Sequence, residues 1–251
     1  MCEPVLFPDE KLIEINDRLS LIQKKDGLCF GTDAYLLSAF VREHTVGYGA
    51  DLGSGSGVIA MLLARRHPSV TVYAVELQHE YACENGVIAR NISLNRLESR
   101  VVPLESDVRD LHARVFDREL DFVVSNPPYM RADSGKRNVS ASKDLARHAV
   151  NGDIAEFCAA AARILRYGGL FYVVYRPDRL VDLICALREN QLEPKRIRFV
   201  AQRPEAAPSM VLIEAKKGAK PSVVIPETLF LQAGESVHPA MQAIYEGGWI
   251  G

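Results

Sequence analysis

Two segments of this 251-residue chain hold residue types that could do chemistry together. The first is Asp51-Leu52-Gly53-Ser54-Gly55-Ser56-Gly57. Glycines in such a run permit a tight turn and let backbone amides approach a ligand closely. The spacing is GxGxG followed by Val58, which departs from the GxGxxG of a dinucleotide fingerprint. The second segment is Asn126-Pro127-Pro128-Tyr129. Two prolines stop a strand's ladder and fix the backbone. The carbonyls of Asn126 and Pro127 and the side-chain oxygen of Asn126 are then acceptors for both N–H bonds of a planar amine. An adenine amine or a carboxamide nitrogen has a delocalised lone pair and is a poor nucleophile. Accepting its hydrogens as it turns tetrahedral favours the transition state over the ground state. Tyr129 offers a flat face on which a planar target can stack, an effect of about 1–3 kcal/mol per base.

Acidic residues follow the glycine loop at telling places. Glu76 closes an apolar run nineteen residues beyond Gly57, where a carboxylate can accept both hydroxyls of a ribose. Asp107, in Glu105-Ser106-Asp107, is placed to accept from an adenine amino group, and Asp51 sits at the end of the first core strand. The loop contains no Lys or Arg, so it is poorly suited to a phosphate. Carboxylates around a loop of this kind suit a ligand with a ribose and a positive centre. S-adenosylmethionine is such a ligand.

The elements that must hold these groups can be read from residue 46 onward. Short β-branched runs, VGYGADL (46–52), VTVYAVE (70–76), RVVPLES (100–106), LDFVVS (120–125) and GLFYVVY (169–175), alternate with helix-length segments. The segments expected to be helical are 57–67, 79–95, a short turn near 108–115, 153–166 and 179–190, with Tyr167-Gly168-Gly169 expected as a helix C-terminus. Nearly continuous apolar strands imply helices on both faces, and strict alternation implies a parallel sheet with right-handed crossovers. RIRFVA (196–201) and SMVLIEA (209–215) have only seven residues and two prolines between them, so they are expected as an antiparallel hairpin at one edge. The expected fold is therefore α/β and Rossmann-like, a mostly parallel sheet with one antiparallel edge strand. The sites fall at the carboxyl ends of its strands, where open α/β sheets bind ligands. Upstream, RLSLIQ (18–23) reads as a strand and TDAYLLSAFVREH (32–44) as a helix. Downstream, KKGAKPS is a polar hinge before SVVIPETLFLQ and a short helix near Ala240–Tyr245. These boundaries divide the chain into an N-terminal extension (1–30), a catalytic domain (31–217) and a C-terminal tail (218–251).

Composition narrows the class. Hydrophobic residues make up 48% and charged residues 25%, which excludes disorder and collagen-like repeats. Thirty Lys and Arg against 32 Asp and Glu give a net charge of -2, so nucleic acid could be bound only through local basic patches. Cysteines at 2, 29, 83, 158 and 185 form no CxxC pair, which argues against a disulfide framework and a thiolate metal site. No signal pattern or membrane-length apolar run is present, and a cytoplasmic location is expected.

The glycine loop, Glu76, Asp107 and NPPY, in that order on this strand pattern, resemble the class I S-adenosylmethionine-dependent methyltransferases, with a seven-stranded sheet. The NPPY turn is similar to that of enzymes that methylate amino nitrogens. Gly27-Leu28-Cys29-Phe30-Gly31-Thr32-Asp33-Ala34-Tyr35-Leu36-Leu37 resembles the FGTDA-x-LL segment of bacterial tRNA adenine N6-methyltransferases that act on an anticodon-loop adenine of valine tRNA. The run 193–200 and Ile225-Pro226 are similar to the Firmicute branch of that group. The resemblance implies S-adenosylmethionine as cofactor, held by Asp51, Gly53, Ser54, Gly55, Glu76 and Leu77 together with Ser106, Asp107 and Asn126. Phe30, Thr32 and Asp33 would lie near its methionine end. Asn126, Pro127, Pro128 and Tyr129 would form the catalytic turn.

Two basic segments are the expected tRNA contacts. Residues 131–147 hold Arg131, Lys136, Arg137, Lys143 and Arg147, and residues 195–203 hold Lys195, Arg196, Arg198 and Arg203. An adenine must leave its stack to enter the site, which costs less in a loop than in a duplex. A carboxamide fits the same clamp, so a protein glutamine N-methyltransferase acting on a release factor stands as the alternative.

Overall fold

A computed structural model describes residues 6–16, 19–25, 30–128 and 153–250 of the protein. The chain opens with an antiparallel hairpin of β1 (Glu10–Asn16) and β2 (Leu19–Lys24), followed by α1 (Thr32–Phe40). The alternating section is β3 (Gly47–Leu52), α2 (Val58–Arg66), β4 (Val70–Glu76), α3 (His79–Ala82), α4 (Val87–Leu94), β5 (Val101–Glu105) and β6 (Leu120–Ser125). It continues with α5 (Ile154–Ile164), β7 (Leu165–Tyr175), α6 (Leu180–Glu189), β8 (Leu192–Ala201) and β9 (Pro208–Lys217). The last elements are β10 (Leu229–Phe230), the small hairpin β11 (Gln232–Ala233) and β12 (Ser236–Val237), and α7 (Pro239–Tyr245).

The central sheet has the order β10-β8-β9-β7-β6-β3-β4-β5. Alternation of side chains divides the strands between two cores. Val72, Ala74, Phe122, Val124, Tyr172 and Val174 face α1, α2, α4 and α7. Ala50, Leu52, Val75, Val123, Phe171 and Val173 face α5 and α6. Both faces are dry, which is why these strands read as unbroken apolar runs. No helix among the described residues is long and apolar enough to cross a membrane.

The α/β class and the mostly parallel sheet are as expected, with local departures. The reversed strand β9 is inserted between β7 and β8, and β10 pairs in parallel with β8 outside it, so the antiparallel strand is internal. The short hairpin connection forces β8 and β9 together, and β9 then finds its second partner in the strand that precedes α6. The tail thus contributes the eighth strand through Leu229, which is buried. The expected helix over 79–95 is two helices, because Gly86 sits where a Cβ would come within 2.5 Å of the Tyr81 carbonyl and serves as the N-cap of α4. Helix α1 stops at Phe40 and not at His44, with Val41 already extended. Gly168 and Gly169 do not close a helix. α5 ends at Ile164, and the glycines lie within β7, where Gly168 has φ +78° beside an irregular step in its pairing with β6. α5 itself starts at a capping box, Asp153 with Glu156.

The flanks are tied into the body. Asn91 on α4 and Asn95 at its C-cap bond the backbone of β2 as a neighbouring strand would. Asn91 Oδ1 accepts from Ile22 N at 2.6 Å, and Asn95 Oδ1 accepts from Ser20 N at 3.0 Å. At the other end, Arg66 donates to the carbonyls of Ile244 and Gly248, and Ile250 N donates to Ala39 O at 2.9 Å.

Candidate active site

The carboxyl ends of β5, β4, β3 and β6 lie side by side, with Glu76 paired to Glu105, Leu52 to Val75, and Leu52 to Ser125. Residues that leave these ends therefore share one rim, spaced by about 4.8 Å per strand. Ser125 Oγ donates to Leu52 O at 2.9 Å in the interior and locks the two central strands just below it.

The glycine loop folds back over β4. Gly53 N and Ser54 N both donate to Val75 O, at 3.0 and 2.9 Å. Gly53, Gly55 and Gly57 have φ of +72°, +55° and +82°, a region that L side chains rarely adopt. A Cβ on Gly55 would meet nothing within 4 Å, so its glycine answers to conformation, and the space above it is open to a ligand. Asn91 Nδ2 donates to Ser56 O at 3.0 Å, which ties the loop to the helix that also holds the N-terminal hairpin.

Glu76 is 7% exposed and braces this loop. Its Oε2 accepts from Gly55 N at 2.8 Å, and its Oε1 accepts from the Leu77 and Gln78 amides at 3.0 Å each. Gln78 Nε2 is a third donor to Oε1, at 3.3 Å, so Oε2, with Gly55 N as its one donor, is the oxygen with room for a hydroxyl. Asp51 lies beneath the loop, wholly buried. Its Oδ2 accepts from Ser54 Oγ at 2.7 Å and from Ala60 N at 3.3 Å, whereas Oδ1 is buried without a hydrogen-bond partner. Burial pushes this carboxyl up to about 7. An orphaned buried acceptor under an open cradle fits a cationic amine close by, which would stabilise the ionised form. Ser106 N donates to Glu76 O at 3.1 Å and sets Asp107 at the next position along the rim. Asp107 caps a short 3-10 turn through Arg109 N at 2.8 Å. The Arg109 guanidinium beside it, with Nε 2.9 Å from Oδ1, holds its carboxyl below the usual carboxylate range.

The clamp residues sit one strand over. Asn126 is half-buried and Pro127 is buried directly after β6. Asn126 Nδ2 donates to Asp33 Oδ2 at 2.7 Å. Asp33 is itself anchored at the start of α1, its Oδ1 accepting from Gly31 N at 3.1 Å and Ala34 N at 2.9 Å. This arrangement fixes the plane of the Asn126 amide and makes its oxygen the end that can accept from a substrate amine. Phe30 packs against Tyr35, with ring centroids 6.1 Å apart, and Thr32 opens α1. Asp33 and Asn126 are 93 positions apart, so no spacing in the chain announces their contact. Nor does the sequence announce the Arg109–Asp107 and Asn91–Ser56 contacts.

Tyr129 and the basic segment 131–147 lie outside the described residues. The second basic cluster is not one surface. Arg196 is half-buried, donates to Phe40 O and stands 3.2 Å from buried Glu214, which Arg42 also bridges. Lys195 bonds Lys220 O and Ser222 at the end of the sheet away from the rim, and only the Arg203 side of the cluster reaches it.

Comparison with known proteins places this geometry. The methyltransferase small domain family matches residues 24–184. A Porphyromonas gingivalis protein named tRNA1(Val) (adenine(37)-N6)-methyltransferase is 27% identical over 204 residues, 78% of each chain. An Aeromonas hydrophila protein of the same name is 30% identical over 189 residues, 75% of this chain and 76% of its own. The crystal structure of a predicted O-methyltransferase from Agrobacterium tumefaciens shares the fold, with a TM-score of 0.70 and 23% identity over 87% of this chain and 98% of that one. The chain belongs to the methyltransferase small domain family, in the group that contains the tRNA1(Val) (adenine(37)-N6)-methyltransferases.

Proposed function

We propose that the protein transfers a methyl group from S-adenosylmethionine to the N6 amine of an adenine in tRNA, in the anticodon loop of a valine tRNA as the names of its relatives suggest. The observation that carries this reading is the amide of Asn126, oriented by Asp33 at 2.7 Å, one strand from an open glycine cradle. Glu76 would hold the ribose, Asp107 the adenine, and the loop backbone with Asp51 the amino-acid end. Bound there, S-adenosylmethionine supplies an electrophilic methyl group.

The protein's part is orientation and charge placement. The oxygen of Asn126 and the backbone carbonyl of Pro127 accept the two N–H bonds of the target amine. As the nitrogen becomes tetrahedral, its hydrogens carry more positive charge and these bonds strengthen. The proton passes to solvent water after the methyl arrives, when the nitrogen is cationic and acidic, so no strong base is required. Arg109 must share or release Asp107 when an adenine amino group binds it, since its guanidinium covers both carboxylate oxygens.

The test is incubation with methyl-labelled S-adenosylmethionine and either total tRNA or purified release factors. Label in tRNA, recovered as N6-methyladenosine after digestion, is the expected result. Label confined to protein glutamine would overturn the reading in favour of the glutamine alternative.

A further inference from the structure

Beyond Asn126 the rim continues over the second half of the sheet. β8 and β10 run parallel to β7, so their carboxyl ends and the amino end of β9 share this edge. An open recess of about 630 Å³ lies there, lined by Asp33, Arg176, Pro177, Asp178, Ser209 and Met210 among others. Its size is that of a site for one small ligand. Asp33 is part of its lining, and Asp33 is the residue bonded to Asn126. Whatever occupies the recess is therefore a direct neighbour of whatever occupies the clamp, one to two strands or about 5–10 Å away.

The recess offers a nucleotide backbone one guanidinium, beside two carboxylates that are each already hydrogen-bonded, Asp33 to Asn126 and Asp178 to Arg176. Asp178 accepts from Arg176 Nε at 2.9 Å and Nη2 at 2.6 Å, which fixes the plane of the guanidinium at the end of β7. A planar, preoriented guanidinium is the side chain best suited to a phosphate oxygen pair. Ser209 adds a hydroxyl, and Met210, Pro177 and Pro208 add apolar surface for a sugar or base edge. Farther along the rim a second recess holds Arg203 together with Glu205 and Glu235. That recess, like the first, sets two carboxylates against one guanidinium, but its lining does not include Asp33, the neighbour of Asn126.

Resting on the reading of an RNA adenine as substrate, we propose that Arg176 binds the phosphate next to the target adenosine, and that the flanking nucleotide lies in the recess between β7 and β9. Arg176 is a substrate-binding residue on this account, placed by Asp178.

The experiment measures tRNA methylation by wild type, Arg176→Ala and Arg176→Lys across a salt series, with cofactor affinity measured separately. Arg176→Ala is expected to raise KM for tRNA about tenfold with cofactor Kd unchanged. The slope of log kcat/KM against log salt should become shallower by about 0.7, the loss of one single-strand phosphate contact. Arg176→Lys should recover the slope and only part of the KM, since it restores charge without the planar fork. An unchanged KM and slope in Arg176→Ala, with active wild type, overturn the proposal alone. Wild type that labels no tRNA overturns the function reading and this proposal together. An Arg176→Ala protein that loses cofactor affinity as well points to a structural role and also overturns it.

Discussion

The two halves of the rim are built on different principles. On the β3-β4-β5 side, the carboxylates of Glu76, Asp51 and Asp107 are engaged by backbone amides and near neighbours within a short stretch of chain. On the β6-β7-β9 side, the groups come from distant segments: Asp33 from α1, Asn126 after β6, Arg176 after β7 and Ser209 at the start of β9. A site of the first kind survives in a contiguous motif. A site of the second kind depends on which strands the topology makes neighbours. On the proposed function, cofactor binding falls to a self-contained cradle and substrate handling to a surface that exists only once the sheet has formed.

If the halves are separable, a substitution in one should spare the other. The largest effect on the cofactor side is expected from Glu76→Ala, which removes a carboxylate that braces the loop and is proposed to hold the ribose. Hydrogen bonds to charged groups contribute about 1.5–3 kcal/mol, so cofactor Kd should rise on the order of a hundredfold by calorimetry. Next is Asp33→Ala on the substrate side. It releases the Asn126 amide, and kcat should fall about tenfold or more while cofactor Kd changes little. Equal losses of kcat and cofactor affinity would show that Asp33 serves both halves.

A smaller effect follows from Asp51. Burial favours its neutral acid and raises its pKa to about 7. A cationic ligand favours the carboxylate, so binding releases a proton below pH 7. Cofactor affinity should therefore fall severalfold as pH drops from 7 to 6 and level off above 7. Asp51→Asn should flatten that dependence. A flat profile in the wild-type protein would mean that Asp51 braces the loop without sensing the ligand. Arg176→Ala, with its change in KM and salt slope, probes the far end of the substrate half.

The same contrast explains what could be read in the chain. VTVYAVE and LDFVVS became strands over Val70–Glu76 and Leu120–Ser125 because both faces are dry and the residues β-branched. The loop glycines all take positive φ, in keeping with the tight turn that such a run permits. Gly168-Gly169 misled because paired glycines suit an irregular strand as well as a helix end. The place of β9 was hidden because a hairpin specifies its own pairing and not its outer neighbour. Likewise Arg196 reads as a surface cation in a run of basic residues, yet its guanidinium is spent on Phe40 O and the buried Glu214.

The most direct test of the central claim is single-turnover methylation of tRNA by Asn126→Ala, with cofactor Kd measured on the same preparation. The account predicts a rate at least 100- to 1,000-fold below wild type, the scale expected for loss of one preoriented transition-state partner, and a cofactor Kd near that of wild type. A mutant that methylates tRNA at the wild-type rate would contradict it.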